Sequence, residues 1–257
     1  MDIVQLISAE RLRTFEEKTD SPEKAILLHG LTLQLGSSLM SMIALLELAL
    51  RNSTNTEIVK RFGDENWLQS ESGAVAITAF DKRAIRDAKR RAQKAAYSKL
   101  SYKEKAALDE RAFPNGKPEK IDHNDEVTAR RKLFDVSHGQ IISQTNFSFW
   151  KRLYGREYET TLCKPAIKKV FPSKDIKRSD VSTALEVIYA IRNRVAHHEP
   201  VYEERLAEVM AALDFVNETL GAGRNEAETS FKHLSRVQYL RLKMDHEAFQ
   251  QAWRALC

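Results

Sequence analysis

The sequence predicts an all-α protein, and three observations predict it. Ala, Leu, Glu, Lys and Arg dominate the 257 residues, and these side chains lose little rotamer freedom in a helix. Only 9 Gly and 6 Pro punctuate the chain, and strand signals are few. Apolar residues recur at helical spacing, as in Val181, Leu185, Val187, Ile188 and Ile191. A hydrophobic content of 42% is enough for a real core, so one large domain or two small ones are expected.

The N-terminal "MDIVQLISAERLR" has an acid at position 2 and reaches further charge too soon for a secretory signal. Cys163 and Cys257 cannot build a disulfide framework and have no metal-ligand spacing. A cytoplasmic protein is the expectation. The first long helix has a readable start: Ser21 caps, Pro22 sits where a missing N–H costs nothing, and Glu23 favours the positive end of the dipole. It should run to about Phe62 and end at Gly63-Asp64. Within it, Ala25 to Leu46 carries no charge over 22 positions, long enough to span a bilayer. His29, Thr32, Gln34, Ser37, Ser38 and Ser41 argue instead for a helix buried in the protein or in a subunit interface.

From Asp81 to Lys105, ten basic residues face three acids, a net of +7 in a chain whose total is +5. On a helical wheel Lys82, Arg86, Lys89, Arg90 and Lys94 share one side, and Phe80, Ala84, Ala88, Ala92 and Ala95 the other. This predicts a helix lying on the body with a cationic outer face. "FPNGKPEK" at 113–120 is the clearest loop. Val127 to Tyr154 resumes an apolar pattern, and Phe171-Pro172-Ser173 turns the chain. The helix through Val181–Ile191 ends in "IRNRVAHHEP". A further amphipathic helix follows over Val201–Leu220 and stops at Gly221-Ala222-Gly223. The last helix, about Glu226 to Ala255, alternates in charge and is expected to pack outside the core.

"IRNRVAHHEP" at 191–200 concentrates cationic and proton-transferring groups. A metal-free ribonuclease needs a group to take the 2′-OH proton, a group to protonate the leaving 5′-oxygen, and fixed positive charge on the phosphorane. Histidine suits the proton steps, with an unperturbed pKa of about 6.5, and arginine forks onto phosphate oxygens. Arg192, Asn193 and His197 supply such a set. Because the nucleophile is the RNA's own 2′-OH, DNA is inert and the product carries a 2′,3′-cyclic phosphate. On a regular helix Arg192 and His197 lie roughly 140° apart, and Asn193 and His197 only about 40°. Either Pro200 breaks the helix near His197 so that the imidazole swings back, or a second chain completes the site across a two-fold axis. The plainer account pairs both arginines with carboxylates and leaves His197 and His198 at a helix end, where cations are favoured.

"RNRVAHHEPVY" resembles the "RNRxAHHEPI" signature of the Abi-like proteins of bacterial abortive infection, members of the HEPN superfamily. "LELALRN" at 46–52, "ISQTNFSFWKRLY" at 142–154 and "VFPS" at 170–173 match in the same order. The resemblance covers roughly residues 8 to 220. It implies an HEPN-type helical bundle over 1–220 with a basic helical insertion at 77–135, and leaves 221–257 as a C-terminal extension. It also implies a homodimer, metal-independent RNA cleavage without a cofactor, and a phage-defence toxin that cuts cellular RNA. Some members are restrained by a structured small RNA. Arg192 would hold phosphate, Asn193 position it, and His197 act as acid or base. His198, next door, has a structural account as well.

Glu47 and Arg51 lie one helical turn apart, and an i,i+4 ion pair is the simpler account. Alternatively Glu47 orients Arg192 or His197 from the neighbouring helix. The basic face Lys82, Arg86, Lys89, Arg90 and Lys94 points to phosphate contacts and RNA binding. His197 and His198 are adjacent and diverge on a helix with no Cys near, so no metal site is expected. Phe147 and Trp150 should fill the core rather than stack bases. Two other classes compete with the nuclease: a helical module that binds RNA or a partner without cutting, and a purely structural dimer.

Overall fold

The computed structural model describes residues 3–70, 73–222 and 228–257, which fold into helices with no strand among them. In chain order these are α1 (Ile3–Ile7), α2 (Ala9–Glu16), α3 (Pro22–Phe62), α4 (Ala79–Ser98), α5 (Tyr102–Ala107), α6 (Asp109–Ala112), α7 (His123–Lys132), α8 (His138–Gln144), α9 (Phe147–Arg152), α10 (Arg178–Ala196), α11 (Glu203–Thr219) and α12 (Ser230–Leu256). The expected stop at Gly223 and the expected start at Glu226 lie outside the described residues.

The 41 residues of α3 make a rod of about 60 Å. Its ends follow from local chemistry. The Ser21 hydroxyl accepts from the Lys24 N–H at 3.3 Å, Pro22 opens the first turn, and Gly63 takes the left-handed φ of 69° that closes the last. By length and composition α3 could cross a membrane. In this fold Leu28, Leu35, Leu39, Met42, Ile43 and Leu46 are instead the centre of the core, each 0–1% exposed. Helices α2, α9, α10 and α12 all pack on α3. At the crossing with α10 there is a glycine, and a Cβ added to Gly36 would stand 3.3 Å from Val195 Cγ1.

The C-terminal helix corrects the expectation of a peripheral element. Phe231, Ser235, Leu242, Asp245 and Phe249 form a buried seam, and α12 makes the most extensive helix contact with α3. Asp245 is anchored there by Gln34 Nε2 at 2.9 Å, by Arg241 Nε at 2.9 Å and by the Ser38 hydroxyl. Burial alone would push this carboxyl up, yet the three hydrogen bonds together hold it below the ordinary carboxylate range.

Phe147, Phe149 and Trp150 are 0–2% exposed, so this aromatic cluster is core, as the spacing predicts. Trp150 Nε1–H donates to Thr145 Oγ1 at 2.7 Å, and Trp67 stacks on Phe149 at 6.4 Å. Helix α4 packs on α7 and α8. Its buried face is Asp81, Ile85, Ala88, Ala92 and Tyr97, which corrects the wheel: Phe80 is 64% exposed and Asp81 fully buried. Asp81 accepts from Arg152 Nε at 3.0 Å, from the Tyr158 hydroxyl at 2.7 Å and from the Thr78 hydroxyl at 2.9 Å. Arg152 meanwhile lies 4.2 Å over the Phe80 ring. The helix that carries the cationic face is thus tied to the body by a buried carboxylate.

Candidate functional site

Helix α10 buries Val181, Ala184, Leu185, Ile188 and Ile191, and its C-terminal turn carries the motif outward. The helix ends in a Schellman arrangement: Glu199 N–H bonds the Arg194 carbonyl at 2.9 Å and His198 N–H the Val195 carbonyl at 3.0 Å. The left-handed residue this arrangement requires is His198, with φ 56°. The break expected near His197 is found there: α10 ends at Ala196, and His197, with φ −97° and ψ 12°, is the cap residue before left-handed His198.

Arg192 is half-buried and Nη1 makes a long hydrogen bond to Asn193 Oδ1 at 3.4 Å. It pairs with no carboxylate among the described residues, whereas Arg194 Nη2 holds Glu199 Oε2 at 3.1 Å. His197 is exposed, and its imidazole bonds to nothing within the described residues. Arg192 and Asn193 are thus brought together and His197 is left free.

A cleft of about 590 Å³ opens beside the motif, between α3 and the turn after α10. Val195, His198, Glu199 and Pro200 form one wall, and Arg11, Phe15, His29 and Met40 face them. His29 was not singled out as a site residue from sequence, although it is the one ionisable side chain in the charge-free stretch of α3. Its ring meets Phe15 edge-on at 5.4 Å, and its buried Nε2 has no partner. Burial, reinforced by the charge of Arg11, pushes its pKa below the ordinary histidine value.

The Glu47–Arg51 ion pair does not form. Arg51 Nη1 turns to the carbonyls of Ile142 and Ser143 at 3.3 and 3.5 Å, at the end of α8. The carbonyls concentrate negative charge there, which outcompetes the Glu47 carboxylate one turn away. Half-buried Glu47 makes no hydrogen bond or ion pair among the described residues, to Arg192 and His197 included.

The basic face divides in two. Arg86, Lys89, Arg90 and Lys94 are exposed, while Lys82 is half-buried. Lys82, Arg86, Lys89 and Arg90, with Lys132 from α7, rim a recess of about 490 Å³ whose apolar floor includes Leu68, Val75, Ile77 and Ile85. Lys94 stands outside it. Arg90 pairs with Asp87 at 3.1 Å, and no carboxylate is among the described lining residues. Lys132 escaped the sequence reading because it lies on another helix.

Among the described residues no group of three or more His, Cys, Asp or Glu side chains is disposed to hold a metal ion. Comparison of the chain with family models, with curated proteins and with solved structures gives no match in any of the three.

Proposed function

We propose that this chain is a metal-independent endoribonuclease of the Abi-like HEPN type, a cytoplasmic phage-defence toxin that cuts RNA through Arg192, Asn193 and His197. The observation that carries the proposal is the pairing of a carboxylate-free Arg192 with Asn193 beside an unengaged His197, all on one solvent-facing helix end. Arg192 holds the scissile phosphate and Asn193 Oδ1 orients the guanidinium. His197 moves the proton of the 2′-OH or of the leaving 5′-oxygen.

By helical spacing Arg192 and His197 fall roughly 140° apart, so the reading places His197 of one copy opposite Arg192 of the other. The uncharged, exposed α3 positions Leu33, Ser37, Ser41, Ala44 and Leu48, of which Leu33 and Ser37 line the cleft beside the motif, offer the surface for that homodimer. A structured small RNA held on the basic face is the restraint this family type implies.

The test is cleavage of RNA in EDTA. Products ending in 2′,3′-cyclic phosphate, lost in His197→Ala with the circular dichroism unchanged, are expected. Intact RNA after incubation with a protein that binds it favours the second reading, a non-cutting RNA-binding module. The observation on that side is that no hydrogen bond among the described residues joins His197 to Arg192 or Asn193.

A further inference from the structure

We infer that the recess beneath the basic face is a nucleotide subsite, which takes one unstacked base of single-stranded RNA onto its apolar floor and the flanking phosphates onto Arg86, Lys89 and Lys132. The inference rests on the RNA reading and adds which form of RNA is held, and where.

A cationic helix face alone would bind any phosphate backbone, duplex included. This face is not a plain one. Between Trp67–Ser70, Val75 and Ile77 on one side and α4 on the other it sinks to a floor containing Leu68, Val75, Ile77 and Ile85, and the opening of about 490 Å³ lies within the roughly 300–1,000 Å³ range of small-molecule sites. A base still stacked in a duplex cannot enter. A base turned out of a single strand presents its apolar faces to the floor while its phosphates stay at the rim.

The rim is prepared for those phosphates. Arg86, Lys89 and Lys132 make no hydrogen bond or ion pair among the described residues. Of the acids of α4, Asp81 is engaged with Arg152, away from the recess, and Asp87 with Arg90 at its rim. Among the described residues Arg86, Lys89 and Lys132 are left without a carboxylate, and they come from two helices around one hollow. An acidic peptide would satisfy the rim but has no flat apolar group at each anionic repeat to occupy the floor.

The test uses the full chain carrying His197→Ala, so that RNA survives the measurement. The probes are a labelled oligouridylate, an abasic strand of equal length, duplex RNA and polyglutamate. We expect the oligouridylate to bind at least about tenfold tighter than the abasic strand or the duplex. The Arg86→Ala, Lys89→Ala, Lys132→Ala triple variant should weaken it at least about tenfold and reduce the salt slope by roughly 2. Ile77→Ser, at the half-buried floor, should erase the preference for bases and leave the salt slope unchanged.

Equal binding of the abasic strand, a triple variant that binds like its parent, an Ile77→Ser protein that keeps the preference for bases, or displacement by polyglutamate at equal charge would each overturn the subsite. A parent protein that binds no RNA at all would overturn the RNA reading as well. Wild-type protein that binds in the expected pattern but never cuts would overturn only the nuclease.

Discussion

Replacing His198 by glycine should stabilise the protein, against the usual effect of glycine in or beside a helix. His198 holds φ 56°, a left-handed conformation that costs a residue with a Cβ roughly 1–2 kcal/mol. Glycine removes that cost and returns about 0.5–1 kcal/mol of extra freedom to the unfolded chain. The imidazole is exposed and makes no side-chain hydrogen bond, so little else is lost. His198→Gly should be about 0.5–1 kcal/mol more stable than wild type, a rise of roughly 1–4 °C in Tm for a chain of this size. The sharper comparison is with His198→Ala, which keeps the strain and removes the ring. The glycine variant should exceed it by about 1 kcal/mol. Ala190→Gly, at an exposed position on the same helix, should lose about 1 kcal/mol. Urea unfolding followed by circular dichroism measures all three. If His198→Gly were no more stable than His198→Ala, the assignment of position 198 as the strained end of a Schellman turn would be wrong. Cleavage retained in His198→Gly would further place its role in the backbone, not in proton transfer.

Removing the buried acid in Asp81→Ala leaves Arg152 with Glu157 at 3.5 Å and the Tyr158 hydroxyl with Thr78, and should cost about 2–4 kcal/mol, toward the low end for buried pairs because Arg152 keeps that partner and some solvent; a loss under about 1 kcal/mol in urea would refute the network. Glu47→Gln should leave stability within about 0.5 kcal/mol because Glu47 has no hydrogen-bond or ion-pair partner among the described residues; a larger drop in the unfolding midpoint would reveal one. Burial holds the His138 pKa below its ordinary value, and its Nε2 lies 2.9 Å from Asn55 Oδ1 while Nδ1 is buried without a partner. The unfolded chain therefore takes up the proton first, near about pH 6.5. Stability is intact above that value and falls as pH drops through the folded-state pKa. His138→Gln should flatten that slope in unfolding curves taken across mildly acidic pH, and an unchanged slope would count against the assignment.

The long helix was legible because its ends are decided locally. Ser21, Pro22 and Gly63 act within one turn of themselves, and no distant contact overrides them. The motif helix was legible in extent but not in its final residue, because proline at 200 marks a break without saying which earlier residue takes the left-handed φ. In the sequence Asp81 is one acid in a charged run, and nothing within α4 tells that its partner is Arg152, 71 residues on. The seam of α12 was hidden for a related reason. Its polar members Ser235 and Asp245 are buried against other helices, so charge alternation along the sequence disguised a core face. The recess could not be foreseen, because its rim joins α4 to Lys132 and its floor belongs to neither helix alone.

The contact at Gly36 ties two distant stretches of the gene to one another. A side chain there must displace Val195 Cγ1, 3.3 Å from the place a Cβ would occupy, and Val195 belongs to the turn that presents Asn193 and His197. Bulk added at position 36 would therefore be absorbed by a shift of a few tenths of an ångström in Val195, by bulk removed at 195, or by a reoriented helix end. The two sites should drift as a matched pair, and one substitution in α3 could disarm the motif without touching any residue of it.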